Sequence, residues 1–143
     1  MLNLDTHILL HAVAGRLTPR ELAALREERW SISAIVLWEI AKLAQLGRIE
    51  VDLDDPDVVR TLAAVQVWPL TAEIARESTR LDVHSDPADE LIAATSVVHN
   101  VPLVTRDPKL RASRIVPLLP ARVWRGAPLT RARAVRSSPA RER

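Results

Sequence analysis

Four widely spaced carboxylates are the residues most able to do chemistry together: Asp5, Glu39, Asp89 and Asp107. Asp5 and Asp107 each directly follow a short apolar run that is typical of a buried strand, and Asp89 lies in the first turn of a predicted helix. In open parallel sheets, ligands bind beyond the carboxyl ends of the strands. We therefore expect these acids to meet at one edge of a sheet.

Glu39 belongs to a helix predicted from Ala34 to Leu46, on the side that carries Val36 and Ile40. An acid on an apolar face is costly to bury unless a charged group meets it. The other three acids also have ordinary structural explanations. Asp5 can cap the following helix, Asp89 can favour a helix dipole, and Asp107 before a proline is a common turn residue. The functional signal therefore lies in the set and its order.

Four converging carboxylates, in a chain without cysteine and with few histidines nearby, describe a site for a hard cation. Mg²⁺ and Mn²⁺ prefer oxygen ligands and keep several waters. Such an ion activates water and neutralises charge that builds on a phosphate. Without it, the acids would repel one another and some would take up protons.

The elements that must position these acids alternate along the chain. Asp86, followed by Pro87, predicts a helix start, the helix runs to about His99, and a strand follows from Val101 to Thr105. Further strands are expected at 1–4, 30–33, 67–70 and 115–116, and further helices at 8–14, from 18, from 54 or 55 to 65, and at 71–81. This alternation predicts an α/β fold with a parallel sheet and helices on both faces.

Composition indicates one soluble domain of 143 residues. The absence of cysteine fits a reducing compartment, and the cytoplasm is the expected location. Asp5 interrupts the apolar N-terminus, which makes it a poor signal peptide, and no apolar run is long enough to span a membrane.

The basic residues are concentrated at the C-terminal end. The net charge is +2, but residues 122–143 hold seven arginines and one acid, so the rest of the chain is acidic. After Trp124 there is too little apolar content to offset the ordering entropy. We expect a folded domain at 1–124 and a basic, disordered tail at 125–143, which either holds RNA through its phosphates or is an incidental extension.

Four blocks in order, LDTHILL, SAIVLWEIAKLAQLGRIE, HSDPADELIAAT and LVTRD, resemble PIN-domain ribonucleases, and within them the VapC-type toxins of toxin–antitoxin pairs. The resemblance covers residues 1–124. It implies a three-layer α/β/α fold and hydrolysis of RNA phosphodiester bonds that depends on Mg²⁺ or Mn²⁺. It also implies a cognate antitoxin protein and a homodimer.

The resemblance carries catalytic and metal-binding roles onto the four acids and places Thr6 and Thr105 around them. The sequence departs from the family pattern at Val36, where a serine is common, and at Glu90, where a basic residue is common. These departures motivate an alternative function, a PIN-fold binding or regulatory module without turnover.

A phosphatase with a covalent aspartyl intermediate is a second alternative. It usually needs another acid two residues after the first, where this chain has His7. Arg106, beside Asp107, is expected to meet a phosphate or to balance the acids. His84 is expected in a surface loop, and the four tryptophans in the core or a groove.

Overall fold

The computed structural model describes residues 1–120, in which four strands and seven helices alternate. The strands are β1 (Leu2–Leu4), β2 (Trp30–Ser33), β3 (Gln66–Trp68) and β4 (Leu103–Val104). The helices are α1 (Thr6–Val13), α2 (Pro19–Arg26), α3 (Ala34–Gln45), α4 (Pro56–Ala63), α5 (Ala72–Ser78), α6 (Pro87–His99) and α7 (Pro108–Arg111).

All strands are parallel, and their order in the sheet is β3-β2-β1-β4. The chain moves outward from β1 to β3 and then returns to the other side of β1. Because crossovers between parallel strands are right-handed, this reversal places helices on both faces of the sheet. The predicted three-layer α/β/α fold is thus confirmed, and the carboxyl ends of β1 and β4 flank the point where strand order reverses.

The core forms because the short strands are buried on both faces, as parallel strands usually are. Leu4, Ile32 and Leu103 are fully buried, as are Val36 in α3 and Ile92 in α6. Each such side chain contributes about 1.5–3 kcal/mol through removal of its apolar surface from water.

Local signals fix where several elements begin and end. Thr18 and Glu21 form a reciprocal capping box at the start of α2. Asp55 caps α4 by accepting from the backbone amides of Asp57 and Val58. Asn100 ends α6 in the left-handed conformation, at φ 50°.

Some predicted elements were wrong in position. The strand expected at residues 115–116 is absent from the described chain, where Leu103 makes only an isolated bridge to Leu118. Asp86 occupies the N-cap of α6, but its side chain makes no capping hydrogen bond, so Pro87 is the effective start signal. Helix α5 ends at Ser78, three residues before the predicted end.

The remaining expectations concern exposure and the tail. Trp38 is 54% exposed and so does not belong to the core. No helix within residues 1–120 is both long and apolar enough to cross a membrane. Trp124 and the tail expected at 125–143 lie outside the described residues.

Candidate active site

Asp5 is buried at the carboxyl end of β1 and also caps α1. Its Oδ1 accepts a hydrogen bond from the Ile8 amide at 2.8 Å, and its side chain is hydrogen-bonded to Thr105. Burial raises the pKa of Asp5, and the hydrogen bonds from Thr105 and Ile8 oppose that rise. The structural role considered from the sequence is therefore real, and it coincides with the position expected for a site acid.

Glu39 is half-buried on α3 and is held by Thr6, whose Oγ1 donates to Glu39 Oε1. Thr6 directly follows Asp5, so the start of α1 ties the acid of α3 to the end of β1. Val36 is fully buried one turn before Glu39. Thr6, and not residue 36, supplies the hydroxyl that contacts Glu39.

Asp89 and Asp107 are linked through Ser85, in the loop before α6. Ser85 Oγ lies 3.3 Å from Asp89 Oδ2 and 3.3 Å from Asp107 Oδ2. A hydroxyl has one proton and therefore donates to only one of these carboxylates at a time. Sequence reasoning missed Ser85. Its only local signal is a hydroxyl residue directly before the predicted N-cap, which does not reveal two acids brought to it from α6 and from the end of β4.

Asp107 is fixed on both sides by local hydrogen bonds. Its Oδ1 accepts from the Lys109 amide at 2.9 Å, which caps α7, and its own amide donates to Thr105 Oγ1 at 3.0 Å. The Thr105 side chain therefore contacts two of the four acids, at the carboxylate of Asp5 and at the backbone amide of Asp107.

The four acids form one electrostatic group centred on Asp89. Burial raises the pKa of Asp89, and the negative charges of Glu39 and Asp107 raise it further, while the Ser85 hydroxyl lowers it. The charge of Asp89 in turn contributes to the raised pKa of Asp5. The structure thus brings all four predicted residues to one rim of the sheet.

The donor chemistry of this group fits a hard divalent cation. Every acid offers carboxylate oxygen, and a cation would relieve the repulsion that raises the pKa of Asp89. Within residues 1–120, however, no three histidine, aspartate or glutamate side chains are grouped tightly enough to form a ready ligand set. Mg²⁺ is usually held by one or two carboxylates and keeps several waters, so such an ion does not require three protein ligands in contact.

Arg106 pairs with an acid outside the four, so the expectation that it balances them is wrong, while its contact with a phosphate stays a prediction. Its guanidinium pairs with Glu21 of α2, with Nε 3.1 Å from Oε1 and Nη2 2.5 Å from Oε2. The Glu21 side chain is only 7% exposed, so this is a nearly buried carboxylate with a matched bidentate partner. The pair ties α2 to the residue that precedes Asp107.

Two other residues weighed from the sequence have modest positions. His84 is exposed in the loop before α6, as expected. Glu90 supports the loop that carries the Ser85 hydroxyl, because its Oε1 accepts a hydrogen bond from the Ser85 amide at 3.3 Å.

Comparison with known proteins identifies relatives of this chain. The sequence model of the PIN domain matches residues 3–115. Ribonuclease VapC22 of Mycobacterium tuberculosis is 32% identical over 117 residues, which cover 78% of this chain and 90% of that protein.

Two solved structures share the fold. A toxin–antitoxin complex from Klebsiella pneumoniae matches with a TM-score of 0.65 and 22% identity, over 84% of this chain and 97% of the matched one. VapBC2 from Rickettsia felis, bound to a DNA fragment from its promoter, matches with a TM-score of 0.60 and 22% identity, over 83% and 96%. The chain belongs to the PIN domain family.

Proposed function

We propose that this protein is a metal-dependent endoribonuclease that hydrolyses RNA phosphodiester bonds and acts as the toxin of a toxin–antitoxin pair. The carrying observation is the electrostatic group around Asp89, in which acids from β1, α3, α6 and the end of β4 meet at one rim. The name of the Mycobacterium tuberculosis relative supports the ribonuclease activity, and the toxin–antitoxin complexes among the structural matches support the toxin role.

The proposed metal-binding and catalytic residues are Asp5, Glu39, Asp89 and Asp107. A bound Mg²⁺ or Mn²⁺ would supply positive charge to the phosphate and make water more acidic. The protein's own contribution is to hold the acids in place: Thr6 orients Glu39, Thr105 and the Ile8 amide orient Asp5, and Ser85 spans the remaining two.

The partners and the location are proposed from the family resemblance. A cognate antitoxin protein would cover the acid rim, a second copy of the chain would form a homodimer, and the protein would act in the cytoplasm. The toxin–antitoxin complex from Klebsiella pneumoniae and VapBC2 from Rickettsia felis support the antitoxin proposal by similarity of fold.

Cleavage of a short labelled RNA with Mg²⁺ or Mn²⁺, against an EDTA control, tests the function. The Asp5→Asn variant should lose cleavage yet keep its fold, because asparagine still accepts a hydrogen bond at the N-cap. Asp54→Asn is the matched control: Asp54 is exposed in the loop before α4 and should be replaceable without loss of activity. RNA binding without metal-dependent cleavage in the wild type would favour the binding module instead.

A further inference from the structure

A groove of about 600 Å³ lies beside the acid rim, between the end of α1 and the loop that follows α3. His7, which follows Asp5 and Thr6, lines the groove, and its charge acts on Asp5. The groove therefore adjoins the site acids. Its charged or ionisable lining residues are His7, His11, Arg16, Arg48 and Glu50.

The two arginines reach the groove through the same local motif on different helices. Gly15 and Gly47 lie two residues past the ends of α1 and α3, and both adopt the left-handed conformation, with φ of 66° and 69°. The next amide, of Arg16 or Arg48, closes a Schellman turn by donating to the carbonyl five residues earlier, at 2.8 and 2.9 Å. Each arginine is thus fixed at its backbone just past a helix end.

The groove carries positive charge on an acidic domain. Both arginines are exposed, and neither guanidinium forms a salt bridge with another residue in the range 1–120. Glu50 is the one carboxylate among the groove-lining residues. Burial lowers the pKa of His11, and the positive charges of Arg106 and Arg16 lower it further against the opposing charge of Glu21.

A polyanion cut at the acid rim meets strong repulsion from four carboxylates. A row of positive charges next to that rim would offset this repulsion and fix the position of the polyanion relative to the acids. We propose that the groove binds the sugar–phosphate backbone of single-stranded RNA beside the scissile bond, with Arg16 and Arg48 each contacting one phosphate. This inference rests on the proposed ribonuclease function. It favours RNA over an acidic peptide because the groove adjoins the acids that would cut it.

Equilibrium binding of a fluorescent oligouridylate in EDTA tests the groove without cleavage. Arg16→Gln and Arg48→Gln should each lower the slope of log K against log salt by about 0.7, the value for one phosphate contact on a single strand, and raise Kd about fivefold at about 0.1 M salt. The double variant should show both losses. Arg29→Gln is the matched control, because Arg29 is an exposed arginine directly before β2, at the opposite edge of the sheet.

An arginine near a helix C-terminus also stabilises the helix by interacting favourably with its dipole. If that is its only role, the variants would lower Tm while leaving the salt slope unchanged, and the proposal would be overturned. Loss of binding to polyglutamate but not to oligouridylate would overturn it as well. Arg16→Lys and Arg48→Lys should restore the slope because they keep the charge.

Failure of the groove and failure of the proposed function are distinguishable. Normal metal-dependent cleavage with unchanged salt slopes in the arginine variants would reject the groove alone. Reduced slopes in those variants, with no cleavage by the wild type under Mg²⁺ or Mn²⁺, would support an RNA-binding groove and reject the ribonuclease.

Discussion

Ser85 is a positioning residue for the two acids it spans, and its removal should weaken metal-dependent activity without unfolding the protein. In the Ser85→Ala variant, Asp89 loses the hydrogen bond that lowers its pKa, so its pKa should rise further, and Asp107 loses the same neighbour. Hydrogen bonds to charged groups contribute about 1.5–3 kcal/mol, but one proton shared over 3.3 Å contacts in a half-buried site falls below that range, at about 1 kcal/mol.

This loss should raise the metal concentration for half-maximal activity about fivefold, since about 1.4 kcal/mol is tenfold in an equilibrium constant. The acid limb of the pH–rate profile should move to higher pH, because the carboxylate of Asp89 must be ionised to act and its pKa has risen. The assay is RNA cleavage titrated with Mg²⁺ at several pH values.

Two controls separate positioning from a structural defect. Ser85→Thr keeps the hydroxyl and should restore both the metal dependence and the pH profile. Tm in EDTA should change little in Ser85→Ala, because no apolar side chain is removed from the core. An unchanged pH profile together with an unchanged metal requirement would refute the reasoning.

Two further predictions concern buried charge. Asp5→Asn should raise Tm in EDTA at neutral pH. The pKa of Asp5 is higher in the folded state than in the unfolded state. Ionisation of Asp5 therefore lowers the stability of the wild type as the pH rises from the unfolded pKa through the folded pKa, and asparagine avoids this loss. Saturating Mg²⁺ should then stabilise the wild type more than it stabilises Asp5→Asn. Thermal unfolding of the two proteins, with and without metal, measures both effects. A lower Tm for Asp5→Asn in EDTA would contradict the prediction. Arg106→Ala should lower the free energy of unfolding by about 2 kcal/mol, because it leaves the nearly buried Glu21 carboxylate without its charged partner. The double variant Arg106→Ala/Glu21→Gln should recover part of that loss, as measured by urea denaturation. Equal losses in the single and double variants would count against the ion pair.

The fold was predictable because each local pattern agreed with the others. Buried runs before Asp5 and Thr105 marked β1 and β4, and the capping residue Thr18 marked the start of α2. The false strand at residues 115–116 shows the limit of such patterns. The segment after α7 reaches the outer edge of β4, but only Leu118 bridges to it, through Leu103, and a single bridge does not make a strand.

The site was predictable as a set of acids and not as a set of contacts. Ser85 meets Asp107 across 22 residues, and Arg106 meets Glu21 across 85. No periodicity or capping rule relates residues so far apart. Arg106 was assigned to the acids because it stands beside Asp107 in sequence, but adjacent side chains at a strand end point in different directions.

At Asp107, helix capping and the proposed role at the site do not compete, because they use different carboxylate oxygens. Oδ1 accepts from the Lys109 amide and starts α7, while Oδ2 is left to face Ser85 at the acid rim. Asp5 likewise uses Oδ1 to accept from the Ile8 amide. At Asp107, the carboxylate is thus fixed through one oxygen while the other faces the acid rim. The N-cap therefore supplies the rigidity that a metal ligand needs, and the same residue type satisfies both demands.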